Sequence, residues 1–205
     1  MTAVRRTATG PGPGRHGAGA NRLRIVGGLW RSRIVRFPDA AGLRPTPDRV
    51  RETLFNWLGQ DLSGWRCLDA FAGSGALGFE AASRGAAEVV LIERDPRLAA
   101  GLRSVQQRLG ATQLRIEVAD ALAWMAARTA APFDLVLLDP PFDAGLFEPA
   151  LDAARPLLAG DGFLYLEADR AFDATACAAR GLRLHRHLHA GRVHAHLMRP
   201  VEAAA

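Results

Sequence analysis

From residue 64 onward, short apolar runs alternate with segments in which apolar residues recur every three or four positions. This alternation is typical of a doubly wound, mostly parallel α/β sheet with helices on both faces. The apolar runs predict five strands, at residues 66–71, 87–92, 113–118, 133–138 and 162–167. The runs 182–189 and 192–198 predict an antiparallel pair that closes the sheet. In this fold class, ligands bind at the carboxyl ends of the strands, where the strand order reverses.

The segment before residue 64 has a different pattern. Residues 22–26 and 33–37 are short, partly alternating runs that predict a β-hairpin with arginines on its exposed face. A helix is predicted to follow, with Thr46 as its N-cap and Pro47 in its first turn. Its buried stripe is predicted to contain Val50, Leu54, Trp57 and Leu58. We therefore divide the chain into a basic tail expected to be disordered (1–20), a hairpin with a helix (21–60), a sheet domain (61–200) and a short tail (201–205).

The composition limits the classes of protein that fit. The chain has 205 residues, of which 49% are hydrophobic and only two are cysteines. These values fit one globular domain and exclude a disordered chain or a disulfide scaffold. No apolar stretch approaches the ~18 residues of a membrane helix, and the N-terminus lacks an apolar signal core. We therefore expect a cytoplasmic protein with no membrane partner, and the short single domain favours a monomer.

Charge is distributed unevenly along the chain. Residues 1–60 carry 11 arginines against three acids, a balance of +8, and the remaining 145 residues carry 15 against 18, a balance of −3. A basic front on an acidic body indicates a nucleic-acid partner, and a solvated basic arm is the alternative. Trp30, in the hairpin turn, has two interpretations, a base-stacking contact or an anchor of the hairpin. The candidates for phosphate contacts are Arg24, Arg31, Arg33, Arg44 and Arg49.

A glycine-rich turn follows the first strand of the predicted sheet. Residues 69–78 contain the pattern G-x-G-x-x-G, which lets backbone N–H groups approach a ligand at a helix N-terminus. Glu93 ends the next strand, where its carboxylate can accept hydrogen bonds from both hydroxyls of a ribose. The pattern is typical of an adenosine-containing cofactor, either NAD or S-adenosylmethionine. The candidate turn residues are Ala72, Gly73, Ser74 and Gly75.

Two aspartates favour S-adenosylmethionine over NAD. Asp69 ends the strand before the glycines, where a carboxylate would repel a pyrophosphate and attract the ammonium of a methionine moiety. Asp120, followed by Ala121, ends the third strand and can accept a hydrogen bond from the adenine amine. Asp120 is also a good N-cap for a helix that follows it. A nicotinamide oxidoreductase is the alternative, and it would leave Asp69 without a role.

The motif Asp139-Pro140-Pro141-Phe142 ends the fourth strand. Its two prolines remove two N–H donors and stiffen the turn, so the Asp139 carboxylate and the Pro140 carbonyl converge as acceptors. An NH2 group donates two hydrogen bonds and fits between them, and Phe142 can stack on the planar ring that carries the amine. Methyl transfer to this amine would rest on positioning and oriented acceptors. The alternative is a structural loop that Asp139 caps.

These motifs together resemble the RsmD family, bacterial methyltransferases that modify a guanine N2 in 16S ribosomal RNA. The most specific stretch is LRPTPDRVRETLFNWL at residues 43–58, and the hairpin sequence RIVGGLWR at residues 24–31 also fits. The resemblance covers residues 22–198, although Pro47 replaces a more usual polar residue and the long basic tail is not part of the pattern. It implies a seven-stranded methyltransferase sheet, S-adenosylmethionine as cofactor, and action on 16S rRNA within the 30S subunit or its late assembly intermediate. It also implies that Thr46 and Arg51 lie near the methionine end of the cofactor.

Other functions stay open at this point. The same amine-binding geometry would serve a DNA or RNA adenine methyltransferase or a protein glutamine methyltransferase. A non-catalytic RNA-binding assembly factor with a relic cofactor pocket is the alternative outside the enzymes. Five histidines recur at alternate positions near the C-terminus, but no acidic or cysteine ligand accompanies them, so we expect a solvated or RNA-facing strand and no metal site. They are His185, His187, His189, His194 and His196.

Overall fold

The computed structural model describes residues 21–40, 43, 45–128 and 131–201. The strands within these ranges are β1 (Asn21–Arg24), β2 (Ile34–Phe37), β3 (Arg66–Asp69), β4 (Glu88–Glu93), β5 (Leu114–Val118), β6 (Phe133–Leu138), β7 (Leu158–Ala168), β8 (Leu182–Ala190) and β9 (Val193–Pro200). The α-helices are α1 (Asp48–Leu58), α2 (Ala76–Ser83), α3 (Pro96–Leu109), α4 (Ala121–Ala126), α5 (Phe147–Ala154) and α6 (Ala174–Ala178). No helix in these ranges has the length and apolar character needed to cross a membrane.

The main sheet has seven strands in the order β5-β4-β3-β6-β7-β9-β8. Strands β3 to β7 run parallel, and β9 and β8 add an antiparallel edge. The chain builds outward from β3 through β4 to β5 and then returns to β6 on the other side of β3. The strand order therefore reverses between β3 and β6, which is where a ligand site forms in such sheets. The predicted fold class and the separate antiparallel hairpin of β1 and β2 are confirmed.

Local signals set most element boundaries. Asp95 caps α3 by accepting a hydrogen bond from the Arg97 backbone N–H at 2.8 Å, and Gly110 ends the helix in the left-handed conformation. The helix α5 ends at Ala154, and a 3₁₀ turn that contains Pro156 leads directly into β7. Strand β7 therefore begins at Leu158, earlier than the sequence pattern predicts.

Two apolar cores lie on the two faces of the sheet. One core packs α4, α5 and α6 against the sheet. The other joins α1, α2, α3 and the hairpin to the opposite face, so that Leu23 and Val35 of the hairpin share a core with Leu137 of β6. The hairpin is thus an integral part of the folded unit, although two strands alone are marginal in water.

A buried carboxylate joins the hairpin to α2. Glu80, which is fully buried, accepts hydrogen bonds from the backbone N–H groups of Val26 at 2.9 Å and Gly27 at 2.7 Å. It also forms ion pairs with Arg51 at 3.0 Å and Arg84 at 2.9 Å. Four donors from three segments of the chain therefore converge on one side chain, and they hold the hairpin, α1 and α2 together.

Candidate active site

Three carboxylates come together at the carboxyl ends of β3, β6 and β7. Asp69 ends β3, and Asp139 follows β6 directly. Because Leu138 pairs with Leu166 in parallel register, Glu167 occupies the position beside Asp139. The Tyr165 side chain shares a strand face with Glu167, and its hydroxyl donates a hydrogen bond to Glu167 Oε1 at 3.0 Å. Asp69 is 1% exposed and Glu167 is 2% exposed, so this group of side chains is withdrawn from bulk water.

The environment of these carboxylates favours their protonated forms. Burial raises the pKa of Asp69 to about 7. Burial also raises the pKa of Asp139 and of Glu167, and the charges of Glu167 and Asp69 raise that of Asp139 further. The Thr46 hydroxyl lies beside both Asp139 and Glu167 and opposes the rise in each pKa. One hydroxyl cannot donate to two carboxylates at once, so the hydrogen bonding is most complete when the Asp139–Glu167 pair carries one proton.

Thr46 does not have the role in helix capping that its position in the sequence predicts. Pro47 occupies the N-cap position of α1 without a side-chain cap, and its carbonyl accepts the Val50 and Arg51 N–H groups at 2.9 and 3.1 Å. Thr46 is 4% exposed and turns toward Asp139 and Glu167 instead. The prediction of Thr46 as N-cap is therefore wrong, because buried carboxylates compete for its hydroxyl.

Arg51 is fully buried beneath the start of α1. Its Nε donates to the Thr46 carbonyl at 3.2 Å, and its Nη2 donates to the Arg24 carbonyl at 2.7 Å and to Asp48 at 2.6 Å. Together with the ion pair to Glu80, these bonds make Arg51 a tie between the hairpin and two helices. Its charge also lowers the pKa of Glu167. A contact of Arg51 with the cofactor stays a prediction.

The turn between β3 and α2 requires glycine. Gly73 and Gly75 have φ values of 51° and 78°, in the left-handed region. A Cβ at Gly75 would lie 2.5 Å from the Phe79 ring, so the available space also excludes a side chain there. Asp69 accepts a hydrogen bond from the Gly78 N–H at 2.9 Å and so fixes the turn from inside. The predicted geometry of the turn is confirmed, and Ala72, Ser74 and Ala76 around it are buried.

The acceptors on the β4 and β5 side of this turn fit an adenosine moiety. Glu93 accepts the N–H groups of Gly73 and Asp95, both at 2.8 Å, through different oxygens. Each oxygen keeps a lone pair for a further donor such as a ribose hydroxyl. Asp120 is exposed and caps α4 by accepting the Ala123 N–H at 2.9 Å, which confirms its capping interpretation, and Ala121 behind it is buried. The second oxygen of Asp120 is available to an amine.

The motif Asp139-Pro140-Pro141-Phe142 leaves the sheet beside the three carboxylates. Pro140 is buried, and within the described ranges its carbonyl accepts no backbone hydrogen bond from a turn or loop. This carbonyl and the Asp139 carboxylate are therefore both available as acceptors at the end of β6. Phe142 begins a 3₁₀ turn and contacts Phe147 edge to face, with ring centroids 5.8 Å apart. The structure thus places the motif where the strand order reverses.

The candidate RNA-binding residues lie on the hairpin side of the protein. Arg24, Arg31, Arg33 and Arg49 are exposed, whereas Arg44 and the tail 1–20 lie outside the described residues. Trp30 is 6% exposed, and its backbone N–H donates to the Ser83 hydroxyl at 2.9 Å. The base-stacking interpretation of Trp30 is therefore corrected, since a buried indole anchors the hairpin. The exposed apolar residue of this turn is Leu29, at 81%.

The hairpin turn lies far from the carboxylates. Leu29 donates a hydrogen bond to the carbonyl of Ser83, the last residue of α2. The helix α2 begins at the glycine turn, and its length separates the two ends by about 10 Å. Arg31 and Arg33 therefore do not border the site formed by the strand ends.

The C-terminal histidines form a row of rings on β8 and β9. His189 stacks on His194 with centroids 4.1 Å apart, and the His194 and His187 ring nitrogens are 3.1 Å apart. His196 accepts the Phe172 N–H at 3.0 Å, and burial lowers the pKa of His196 to about 4, so this imidazole is neutral and structural. Among the residues that the structure describes, no group of three or more His, Cys, Asp or Glu side chains is arranged to hold a metal ion.

Sequence reasoning missed Glu167, Tyr165 and Glu80. Glu167 is the only acid in the otherwise apolar stretch 162–168, which was a usable signal of a special position. Its partnership with Asp139 depends on the pairing of β6 with β7 and could not be read from spacing.

Comparison with known proteins identifies the family. The model of the family described as "Conserved hypothetical protein 95" matches residues 23–199. The Ribosomal RNA small subunit methyltransferase D of Escherichia coli (strain K12) is 40% identical over 154 residues, which are 74% of this chain and 77% of that protein. The solved structure of the yhhF protein of Escherichia coli has a TM-score of 0.77 and 37% identity, and the alignment covers 89% of this chain and 100% of that chain. The structure of HI0767 from Haemophilus influenzae has a TM-score of 0.74 and 34% identity, and the alignment covers 89% of this chain and 100% of that chain. The chain therefore belongs to the Conserved hypothetical protein 95 family, which is the RsmD family of methyltransferases.

Proposed function

We propose that this protein transfers a methyl group from S-adenosylmethionine to the exocyclic N2 amine of a guanine in 16S rRNA. The substrate would be the 30S subunit or its late assembly intermediate, and the enzyme would act as a monomer in the bacterial cytoplasm. The observation that carries the proposal is the pair of available acceptors at the end of β6, Asp139 and the Pro140 carbonyl, next to the glycine turn. The name of the Escherichia coli relative supports ribosomal RNA as the substrate class.

The residues around the glycine turn fit the cofactor. The remaining lone pairs of Glu93 would accept the ribose hydroxyls, and Asp120 would accept the adenine amine. The carboxylate of Asp69 would face the ammonium of the methionine end, near Thr46. When bound, S-adenosylmethionine supplies an electrophilic methyl group on a positively charged sulfur. The residues of the chain orient the amine and manage its proton.

Asp139 and Pro140 would orient the guanine amine. Each accepts one N–H of the amine, which directs the nitrogen lone pair away from both acceptors and out of conjugation with the ring. Phe142 would stack against the guanine and limit its rotation. Because these groups are fixed before the substrate arrives, most of the rate enhancement would come from positioning and oriented dipoles.

Glu167 would hold the shared proton of the Asp139–Glu167 pair once the amine is bound. The hydrogen bonding of the Asp139–Glu167 pair is most complete when the pair carries one proton. An N–H donor of a bound amine favours the negative charge on Asp139. The proton then rests on Glu167, which is hydrogen-bonded by Tyr165 and lies beside Thr46. After transfer, the methylated nitrogen releases its extra proton, and the Asp139 carboxylate is the nearest acceptor.

The decisive experiment uses labelled S-adenosylmethionine. The protein is incubated with 30S particles that lack the modification, with naked 16S RNA, with duplex DNA and with a glutamine-containing protein substrate, and the label is mapped. Label on a guanine N2 of the particles supports the proposal. Label on adenine or glutamine would contradict it and would show that the site methylates a different amine. No label on any substrate, with intact cofactor binding, would leave an RNA-binding factor without catalysis.

Substitution of the amine acceptor provides the matching test at the site. We expect Asp139→Asn to lower kcat by at least about 100-fold, because the negative charge that orients the amine and accepts its proton is lost, while affinity for cofactor and RNA is retained. The control is Asp143→Asn, an exposed aspartate four residues later that should leave kcat unchanged. Equal activity of the two variants would contradict the assigned role of Asp139.

A further inference from the structure

We propose that a groove between β2 and α3 binds the phosphate backbone of the RNA substrate at a distance from the methylation site. The inference rests on the proposed function and extends it, because it assigns a second contact region and the size of substrate that can use it. The groove has a volume of about 190 Å³. Its apolar floor is formed by Val35, Val105 and Leu109, and its rim carries Arg33, Arg36 and Arg108.

The three arginines of the rim are exposed and available. In the part of the chain that the structure describes, none of them forms an ion pair or donates a side-chain hydrogen bond. A guanidinium group presents several N–H donors in a fixed plane that match the oxygens of a phosphate. Three such groups around one concave surface would therefore favour a polyanion.

Few acids oppose this charge. Residues 21–38 and 96–110, which form β1, β2 and α3, contain eight arginines and no acid. Asp39 at the end of the hairpin accepts a hydrogen bond from Asn21, and Asp95 before α3 pairs with Arg97. The basic character of the groove is thus not neutralised from either of its walls.

The groove is remote from the carboxylates. The helix α3 begins at Pro96, three residues after Glu93, and Arg108 lies twelve residues further along it, which is about 18 Å at the helical rise. One nucleotide cannot contact both places. A substrate that uses the groove must therefore be a folded RNA that extends at least this far from its target guanine.

The test compares two double variants that remove the same charge. Arg36→Ala/Arg108→Ala alters the groove, and Arg183→Ala/Arg186→Ala alters two exposed arginines of β8 at the other end of the sheet. Binding to 30S particles and to naked 16S RNA is measured over a range of salt concentrations, and methylation is measured with the same particles and with a short stem-loop that carries the mapped guanine. Thermal unfolding and cofactor affinity show that both variants are folded.

We expect the groove variant to bind RNA about tenfold more weakly and to lower the slope of log affinity against log salt by about 2, since two phosphate contacts are lost. Its KM for particles should rise by a similar factor with kcat unchanged, and its activity on the short stem-loop should equal that of the wild type. The β8 variant should behave as the wild type throughout.

Three results would overturn the proposal for the groove. The first is equal RNA affinity of the two variants, and the second is a loss of methylation activity on the short stem-loop as large as that on particles. The third is a loss of affinity for duplex DNA or anionic vesicles as large as the loss of affinity for RNA. Failure of the proposed function is distinguishable, because it appears as an absence of methylation by the wild type. RNA affinity and its salt slope still decide whether the groove binds RNA in that case.

Discussion

At the scale of single residues, the chemistry of the site depends on carboxylates whose protons are shared. In the proposed mechanism Asp139 is ionised when it accepts an N–H of the amine, yet burial and two neighbouring carboxylates raise its pKa. Glu167 is the neighbour that can hold the proton in its place, because Tyr165 and Thr46 supply it with hydrogen-bond partners. The sharing of one proton between Asp139 and Glu167 predicts a measurable effect on the pH dependence of the reaction.

We expect Glu167→Gln to move the acid limb of the pH profile of kcat/KM to lower pH. In the free enzyme, which kcat/KM reports, the negative charge of ionised Glu167 raises the pKa of Asp139. Glutamine carries no charge, so Asp139 ionises at a lower pH in the variant. The measurement is kcat/KM over roughly pH 5 to 9, with Asp143→Asn as the control. A purely structural Glu167 would lower the rate without a shift of the limb, and a shift to higher pH would contradict the assignment.

Several residues of the site could be predicted from the sequence because their geometry is local. The glycine turn, Asp69, Glu93 and Asp139 lie at strand ends that apolar patterns reveal. The role of Glu167 was not predictable, because it depends on the pairing of β6 with β7. Trp30 had two interpretations for the same reason, since exposure in a turn depends on what packs beneath it.

At the scale of secondary-structure elements, Glu80 explains how the hairpin is attached. The alternating pattern predicted the hairpin, whereas its docking was not predictable, since a glutamate within a helix normally marks a solvent-facing position. In the structure, Glu80 binds two hairpin N–H groups and two arginines in a fully buried position. Glu80 therefore adds a charged attachment of the hairpin to the apolar core that the hairpin shares with the sheet.

We expect Glu80→Gln to destabilise the protein by about 3–5 kcal/mol, because it leaves buried arginines without their counter-charge. The hairpin should be released first, and trypsin should cleave at its arginines before the rest of the chain unfolds. Urea unfolding and limited proteolysis measure the two effects. Glu88→Gln is the matched control, since the Arg66–Glu88 pair is partly exposed and should contribute only about 0–1 kcal/mol. Similar losses for both variants would contradict a special role of Glu80.

At the scale of the whole molecule, the uneven charge of the sequence becomes a spatial arrangement. Arg33 and Arg36 of the hairpin and Arg108 of α3 line one groove, and the carboxylates with raised pKa lie at the strand ends of the sheet. The net charge of +5 averages over these two regions and so describes neither. The buried carboxylates also have a cost for folding, because they must stay partly protonated in the folded state.

The stability of the protein should therefore respond to pH through Asp69. Its pKa is about 7 in the folded protein against 3.8 as the ordinary value, so the folded state binds more protons than the unfolded state between these two pH values. The contribution of Asp69 to the free energy of unfolding is fully present below about pH 4. It is lost as the pH rises to about 7, and the total loss is roughly 4 kcal/mol. His196 acts in the opposite direction, since its pKa is lowered to about 4, and its stabilising effect grows as the pH rises from 4 toward its ordinary value of 6.5.

The variant Asp69→Asn removes the contribution of Asp69 together with its charge interactions with Asp139 and Glu167, whereas the effect of His196 cancels in the difference from the wild type. The asparagine carbonyl can still accept the Gly78 N–H, so the turn keeps its hydrogen bond. Urea unfolding across this pH range should show a variant that gains stability relative to the wild type from about pH 4 to pH 7 and a constant difference above it. A difference that does not change with pH would show that the Asp69 carboxylate has the same proton affinity in both states. Since Asp69 is also a proposed cofactor ligand, we expect the more stable variant to bind S-adenosylmethionine more weakly, which calorimetry would measure.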